Sequence, residues 1–158
     1  MTATNSYQQV SALLVDGDLQ SAIACLNEGV PHRFTAVYRL TGELLQVRAI
    51  HDKQSQVTPA DLMAIPLRHS LCQFAIRAGS LETRDSTRDQ RLQGIALHAA
   101  MVAYTGVPIT DGTASNKVIG TLCHFDFVPQ EISDTEYALL RQVSTLMDLR
   151  KLVLAPVL

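Results

Sequence analysis

The sequence predicts an α+β fold, in which an antiparallel central sheet carries helices on its faces. Three observations lead there. Lys117–Asp126 is a dense run of β-formers with one glycine, long enough for a strand buried on both sides. Met101–Ile109 is a second such run, and the turn-rich linker Thr110–Asn116 joins the two as a hairpin. Another hairpin, the first along the chain, turns at Thr41-Gly42, between β-rich His32–Leu40 and Glu43–His51.

Taken in order, the chain opens with two helices. Val10, Leu13 and Leu14 stand at helical spacing within Ser6–Val15, and Asp16-Gly-Asp18 interrupts them. Asp18 is an N-cap for a second helix through Leu19, Ile23 and Leu26, with Gly29 just past its end. The first hairpin follows, then a polar loop over Asp52–Gln56. Thr58-Pro-Ala-Asp61 reads as a short helix start, with Thr58 capping and Pro59 at the first position, and Pro66 ends that turn. Ser70–Ala78 is a helix with Leu71, Phe74 and Ala75 on one face and Gly79 as its stop. Leu81–Arg84 is a short strand, Asp85–Arg91 a polar loop, and Leu92–Leu97 a small helical piece.

The second hairpin comes next. Along its last strand Ile119, Thr121, Cys123 and Phe125 share one face, and Val118, Gly120, Leu122 and His124 the other. Ser133-Asp-Thr-Glu136 is a capping box. It starts what reads as the longest helix, with Tyr137, Leu140, Val143 and Met147 in register, Leu139, Leu146 and Val153 widening the apolar stripe, and Pro156 at its end.

Composition narrows the function classes. At 158 residues one domain over the whole chain, 1–158, is expected, with enough chain to bury a core without staples. Apolar residues make up 47% and charged ones 18%, a globular balance. The net charge of -2, with no block of Lys or Arg, gives nucleic acid or an anionic membrane nothing to bind. No apolar run reaches the ~20 residues of a membrane span, and Met1–Ser6 lacks the features of a signal peptide. Three cysteines, an odd number, predict free thiols in a reducing cytoplasm.

The order and wording of these segments resemble the GAF domain, a small-molecule-binding module related to PAS domains. The residues that carry the likeness are Ser70-Leu-Cys-Gln-Phe74 with Ala78-Gly-Ser-Leu81, then Asp85, Tyr104-Thr-Gly-Val-Pro-Ile109, Val118-Ile-Gly-Thr-Leu-Cys123, Asp126 and Ile132-Ser-Asp-Thr-Glu136. The resemblance covers nearly the whole chain. It implies a six-stranded antiparallel sheet, with terminal helices on one face that often pair two subunits. Pocket-closing loops and short helices lie on the other face. Relatives take cyclic nucleotides, haem, bilins, amino acids or metals, so the resemblance names no cofactor and the fold does not supply the function.

Seven residues are candidates for the ligand site. Cys72 on the helix and Cys123 on the pocket strand are read as a redox pair or part of a metal site, against the plainer reading of cysteine as a small buried hydrophobe. Thr121 shares the face of Cys123. Phe74 and Tyr104 are pocket walls or core packing. His98 stands where the loops over the pocket converge, placed to meet a ligand anion or iron, or simply at the surface. Asp85 is read first as a loop cap and second as a ligand contact, and Arg84, Arg88 and Arg91 offer guanidinium forks to an anion. Cys25 reads as packing or as a dimer-face residue. The neighbouring Cys123 and His124 suggest bilin attachment, but in bilin-binding relatives that pair lies outside this strand, and adjacent strand residues face opposite ways. His124 is placed instead under the terminal helices, bonded to one of them. No catalytic residue and no metal ligand set is assigned, since no Cys-x-x-Cys and no phosphate loop occurs.

The expectation is a noncatalytic sensory module, a homodimer through its terminal helices, that takes a small molecule and passes its output to a separate signalling protein. Two alternatives belong to other classes: an interaction module with an empty pocket, and a thiol-based reductase like the GAF-family enzymes acting on free methionine sulfoxide.

Overall fold

The protein, as a computed structural model, is described over residues 3–56 and 60–147. Helices α1 (Ala3–Val15) and α2 (Leu19–Glu28) are joined through Gly17, whose φ of +77° suits glycine. Asp18 caps α2, its carboxylate accepting the Ser21 N–H at 3.0 Å. Strands β1 (Phe34–Thr41) and β2 (Leu44–Asp52) form the first hairpin, and its two turn residues are Gly42 and Glu43, one place later than predicted. The expected cap and proline of the next helix, Thr58 and Pro59, lie outside the described residues. The helix itself is α3 (Ala60–Met63).

Directly after α3 comes β3 (Ala64–Pro66), which pairs with the start of β2. The sequence reading had Pro66 ending a turn, whereas proline is tolerated here because β3 is an edge strand. Helix α4 (Cys72–Ala78) stops at Gly79 with φ +89°, and β4 (Leu81–Thr83) follows. The helical piece expected over Leu92–Leu97 is absent. A single 3₁₀ turn spans Gln90–Leu92, and Gly94 at φ +80° breaks the run. Strands β5 (Ala103–Thr110) and β6 (Val118–Asp126) make the second hairpin, and α5 (Asp134–Ser144) closes the described chain. Among the described residues α1, not α5, is the longest helix, since α5 ends at Ser144 with Thr145 as its C-cap. Val153 and Pro156 lie outside the described residues.

The six strands form one sheet in the order β3-β2-β1-β6-β5-β4, and every pairing is antiparallel. Helices α1, α2 and α5 cover one face, where Ile23, Leu26, Val37, Leu122 and Leu140 are buried together. Helices α3 and α4 cover the other, over Phe34, Tyr38, Tyr104 and Phe125. The Phe34 and Phe125 rings stack there at 5.1 Å.

Two bulges break the simple alternation. Val37 pairs with Ala49 and Tyr38 with Val47, so Arg48 is the extra residue and Ala49 turns to the α1/α2/α5 side. Ile109 pairs with Gly120 and Thr110 with Val118, so Ile119 is extra too. That is why Ile119 packs with the terminal-helix cluster and not beside Cys123 and Phe125.

Ser133 caps α5 by accepting the Glu136 N–H at 3.2 Å. Ser133→Ala is expected to lower the unfolding free energy by about 1 kcal/mol, read as an earlier urea midpoint with an unchanged slope.

Candidate functional site

On the α3/α4 face, four of the seven candidates come together. Cys72 opens α4, its N–H held by the Ser70 hydroxyl at 3.0 Å, and its sulfur is fully buried against the sheet. The Tyr104 hydroxyl on β5 and the Thr121 hydroxyl on β6 each donate to that sulfur at 3.2 Å. Cys123, two residues beyond Thr121 on the same face, is fully buried and donates to the Ala36 carbonyl at 3.8 Å; it pairs across the ladder with Gly106, over which the Tyr104 hydroxyl lies. Gly106 makes this possible. A Cβ at Gly106 would overlap the Tyr104 ring and hydroxyl, so only a glycine two residues along the strand lets the tyrosine lie down over it.

The electrostatics follow from this cage. Burial alone pushes the Cys72 thiol up, but the bonds from Cys123, Ser70, Thr121 and Tyr104 outweigh it and hold the thiol down to about 6. Burial and the neighbouring Cys72 push the Cys123 thiol well above its ordinary value. Burial and the two nearby sulfurs do the same to the Tyr104 phenol, so Tyr104 remains a proton donor.

The other three candidates lie apart from the cage. Phe74 flanks the cluster half-buried, with the Arg77 guanidinium 5.6 Å from its ring centre. Asp85 caps its own loop by accepting the Thr87 N–H at 3.0 Å and the Thr87 hydroxyl at 2.5 Å. Of the nearby guanidinium forks, Arg91 is bound to Asp89 at 2.6 Å, while Arg84 and Arg88 are exposed, at 4.0 Å from Glu131 and 3.8 Å from Asp85.

His98 stands beside a cavity of about 300 Å³ lined by Asp61, Ile65, Pro66, His69 and Leu97. Its Nδ1 accepts the Ala100 N–H at 3.0 Å, so its Nε2 carries the proton and donates to Asp61 at 2.7 Å. That contact ties α3 to the loop before β5. A second tie runs from the Tyr38 hydroxyl on the sheet to the Leu62 carbonyl at 2.7 Å. Asp61, read from the sequence only as part of a helix start, is therefore a wall of the cavity. Its acid type gave no sign of a partner 37 residues away.

A second buried polar chain lies on the terminal-helix face. Lys53 donates to the Asn27 side chain at 2.7 Å, Asn27 to the Thr35 hydroxyl at 2.8 Å, and that hydroxyl and His124 Nδ1 share a hydrogen bond of 2.6 Å. His124 does lie under the helices as expected, but its direct partner is Thr35 of the sheet. The bond to α2 passes through Asn27. Beside it, His32 is fully buried, 5.8 Å from the His124 ring, with no hydrogen-bond partner at either ring nitrogen.

Among the described residues no group of three or more His, Cys, Asp or Glu side chains is arranged to hold a metal ion. No helix among them is long and apolar enough to cross a membrane.

The sequence matches no known family profile and no curated protein. Its fold does match solved structures. The free methionine-R-sulfoxide reductase of Neisseria meningitidis, solved with its substrate, is 15% identical over 91% of this chain and 84% of its own, with a TM-score of 0.69. The GAF domain of a phosphoenolpyruvate-protein phosphotransferase from Acinetobacter is 13% identical over 90% and 88%, with a TM-score of 0.69. A protein from Burkholderia vietnamiensis described as a GAF sensor is 18% identical over 96% of each chain, with a TM-score of 0.68. The fold of this chain is GAF-like. Its structural neighbours include both sensor domains and reductases.

Proposed function

We propose that the chain uses its GAF-like fold as a noncatalytic sensory module, taking a small molecule on the α3/α4 face. The carrying observation is the cavity of about 300 Å³ beside His98, which falls at the small end of ligand pockets. Most of its lining is apolar, including Ile65, Pro66 and Leu97, and the Asp61–His98 pair supplies placed polar groups of the kind such a pocket uses. The signal leaves through homodimerisation by the terminal helices, where Val15 at the end of α1 and Leu146 just past α5 are exposed, or through a separate signalling protein. A monomeric mass in solution by light scattering would count against the dimer.

The test is a melting screen against amino acids, cyclic nucleotides and tetrapyrroles. A ligand at about 100 times its Kd adds about 2.7 kcal/mol, which raises Tm by roughly 5 °C or more in a chain of this size. The shift is expected to disappear in His98→Leu. A flat response to the whole panel would favour an interaction module whose pocket is filled by its own Met101 and Tyr104, both buried.

A second reading has its own support, in the Cys72 cage and the reductase among the neighbours. Thiol-dependent turnover of free methionine-R-sulfoxide, lost in both Cys72→Ser and Cys123→Ser, would favour it over the sensor. No turnover is expected on the first reading.

A further inference from the structure

The sulfur of Cys72 is surrounded in a way that core packing does not require. A buried cysteine acting as a small hydrophobe sits among carbon atoms. Here two hydroxyls converge on it instead. A neutral thiol is a weak acceptor and gains little from such bonds, whereas a thiolate needs them. The placement of Tyr104 is specific, because its hydroxyl reaches the sulfur only across the bare backbone of Gly106. The second thiol, Cys123, is fully buried in the same cluster and pairs across the ladder with Gly106, so it lies beside the Tyr104 hydroxyl that bonds the Cys72 sulfur at 3.2 Å. A thiol held by hydroxyl donors with a second thiol beside it is the arrangement that forms a disulfide after a single oxidation.

We propose that Cys72 and Cys123 are a reversible dithiol–disulfide pair, oxidised inside the α3/α4 face by a small hydroperoxide, with Cys72 reacting first. The Cys72 thiolate attacks one peroxide oxygen. A sulfur–oxygen bond forms, the oxygen–oxygen bond breaks, and the departing alkoxide takes up the proton that Cys72 gave up. Cys72 is then a sulfenic acid and the peroxide has become an alcohol, or water when the oxidant is hydrogen peroxide. Cys123 next attacks the sulfenic sulfur. A disulfide bond forms, the sulfur–oxygen bond breaks, and the hydroxide leaves as water with the proton of Cys123. Two thiols have lost two electrons and the peroxide has gained them. The burial of both sulfurs selects for an oxidant of about the size of water. Cys25 plays no part, since it lies on α2 and bonds Gln9 at 3.5 Å on the opposite side of the sheet. The proposal does not depend on a ligand in the cavity beside His98, so it stands or falls apart from the sensor reading.

The test is peptide mapping of the folded chain under non-reducing conditions after treatment with hydrogen peroxide. Expected is a Cys72–Cys123 link formed with loss of two hydrogens, reversed by dithiothreitol, retained in Cys25→Ser, and lost in Cys72→Ser and Cys123→Ser. Tyr104→Phe keeps the ring over Gly106 and removes one donor. Below the titration of the thiol, a one-unit rise in its pKa costs tenfold in thiolate and returns part of that in nucleophilicity. At about pH 5, below that titration, link formation should therefore slow by about threefold, with no change in the product. Three outcomes would overturn the proposal: both thiols still free, Cys72 oxidised to higher acids without a link, or a link that involves Cys25.

Discussion

Lowering the pH from about 6.5 to about 4 is expected to cost the folded chain roughly 3 kcal/mol at each of two histidines, His32 and His124. Burial is the main cause in both. It pulls His32 down to about 4, against the opposing charge of Asp126 and with help from Lys53. It pulls His124 down to about 3, with help from His32 and Lys53. Above about pH 6.5 both rings are neutral in the folded and the unfolded chain, and pH costs nothing. Below it the unfolded chain takes up protons that the folded chain refuses, so stability falls at about 1.4 kcal/mol per pH unit per ring. The fall continues until the folded values are reached. Urea titrations at stepped pH check this. His32→Leu, which removes two buried nitrogens without partners, should roughly halve the slope and leave stability at neutral pH unchanged or improved. A flat profile between pH 6.5 and pH 4 would contradict the account.

The second large effect is expected at Gly106. Gly106→Ala places a methyl group where the Tyr104 ring and hydroxyl lie, inside a fully buried layer. Overpacking of that kind costs about 1 to 3 kcal/mol, and here the upper end applies because the displaced ring also gives up its bond to Cys72. Gly106→Ala combined with Tyr104→Ala should cost less than the sum of the two single changes, since the second removes what the first collides with. Strict additivity in chemical denaturation would show that the tyrosine does not depend on the glycine.

Much of this architecture was legible in the sequence, and the reasons are local. The two hairpins, the Asp18 and Ser133 caps and the Gly79 stop are each fixed by a few neighbouring residues. What was not legible is set by distant pairing or by a single backbone angle. Strand β3 is three residues long and exists because the start of β2 offers an edge beside it. Leu92 and Ile95 are spaced like a helix, but Gly94 adopts a positive φ between them. The bulges at Arg48 and Ile119 reverse the alternation that strand periodicity assumes.

At the site, the sequence named Cys72, Tyr104, Thr121 and Cys123 as candidates; the structure places all four in one buried region, where Tyr104 and Thr121 bond the Cys72 sulfur. The bond between Asp61 and His98 and the relay from Lys53 to His124 join residues far apart in the chain and carry no motif. The role of Gly106 had one trace, a tyrosine two positions before a glycine in a strand. That pairing places them on the same face.

The central claim is that the α3/α4 face takes a small molecule, and native mass spectrometry of the freshly purified chain tests it most directly. The account predicts a mass above that of the denatured chain, with the excess lost in His98→Leu. A native mass equal to the bare chain, together with no melting shift across the ligand panel, would contradict it.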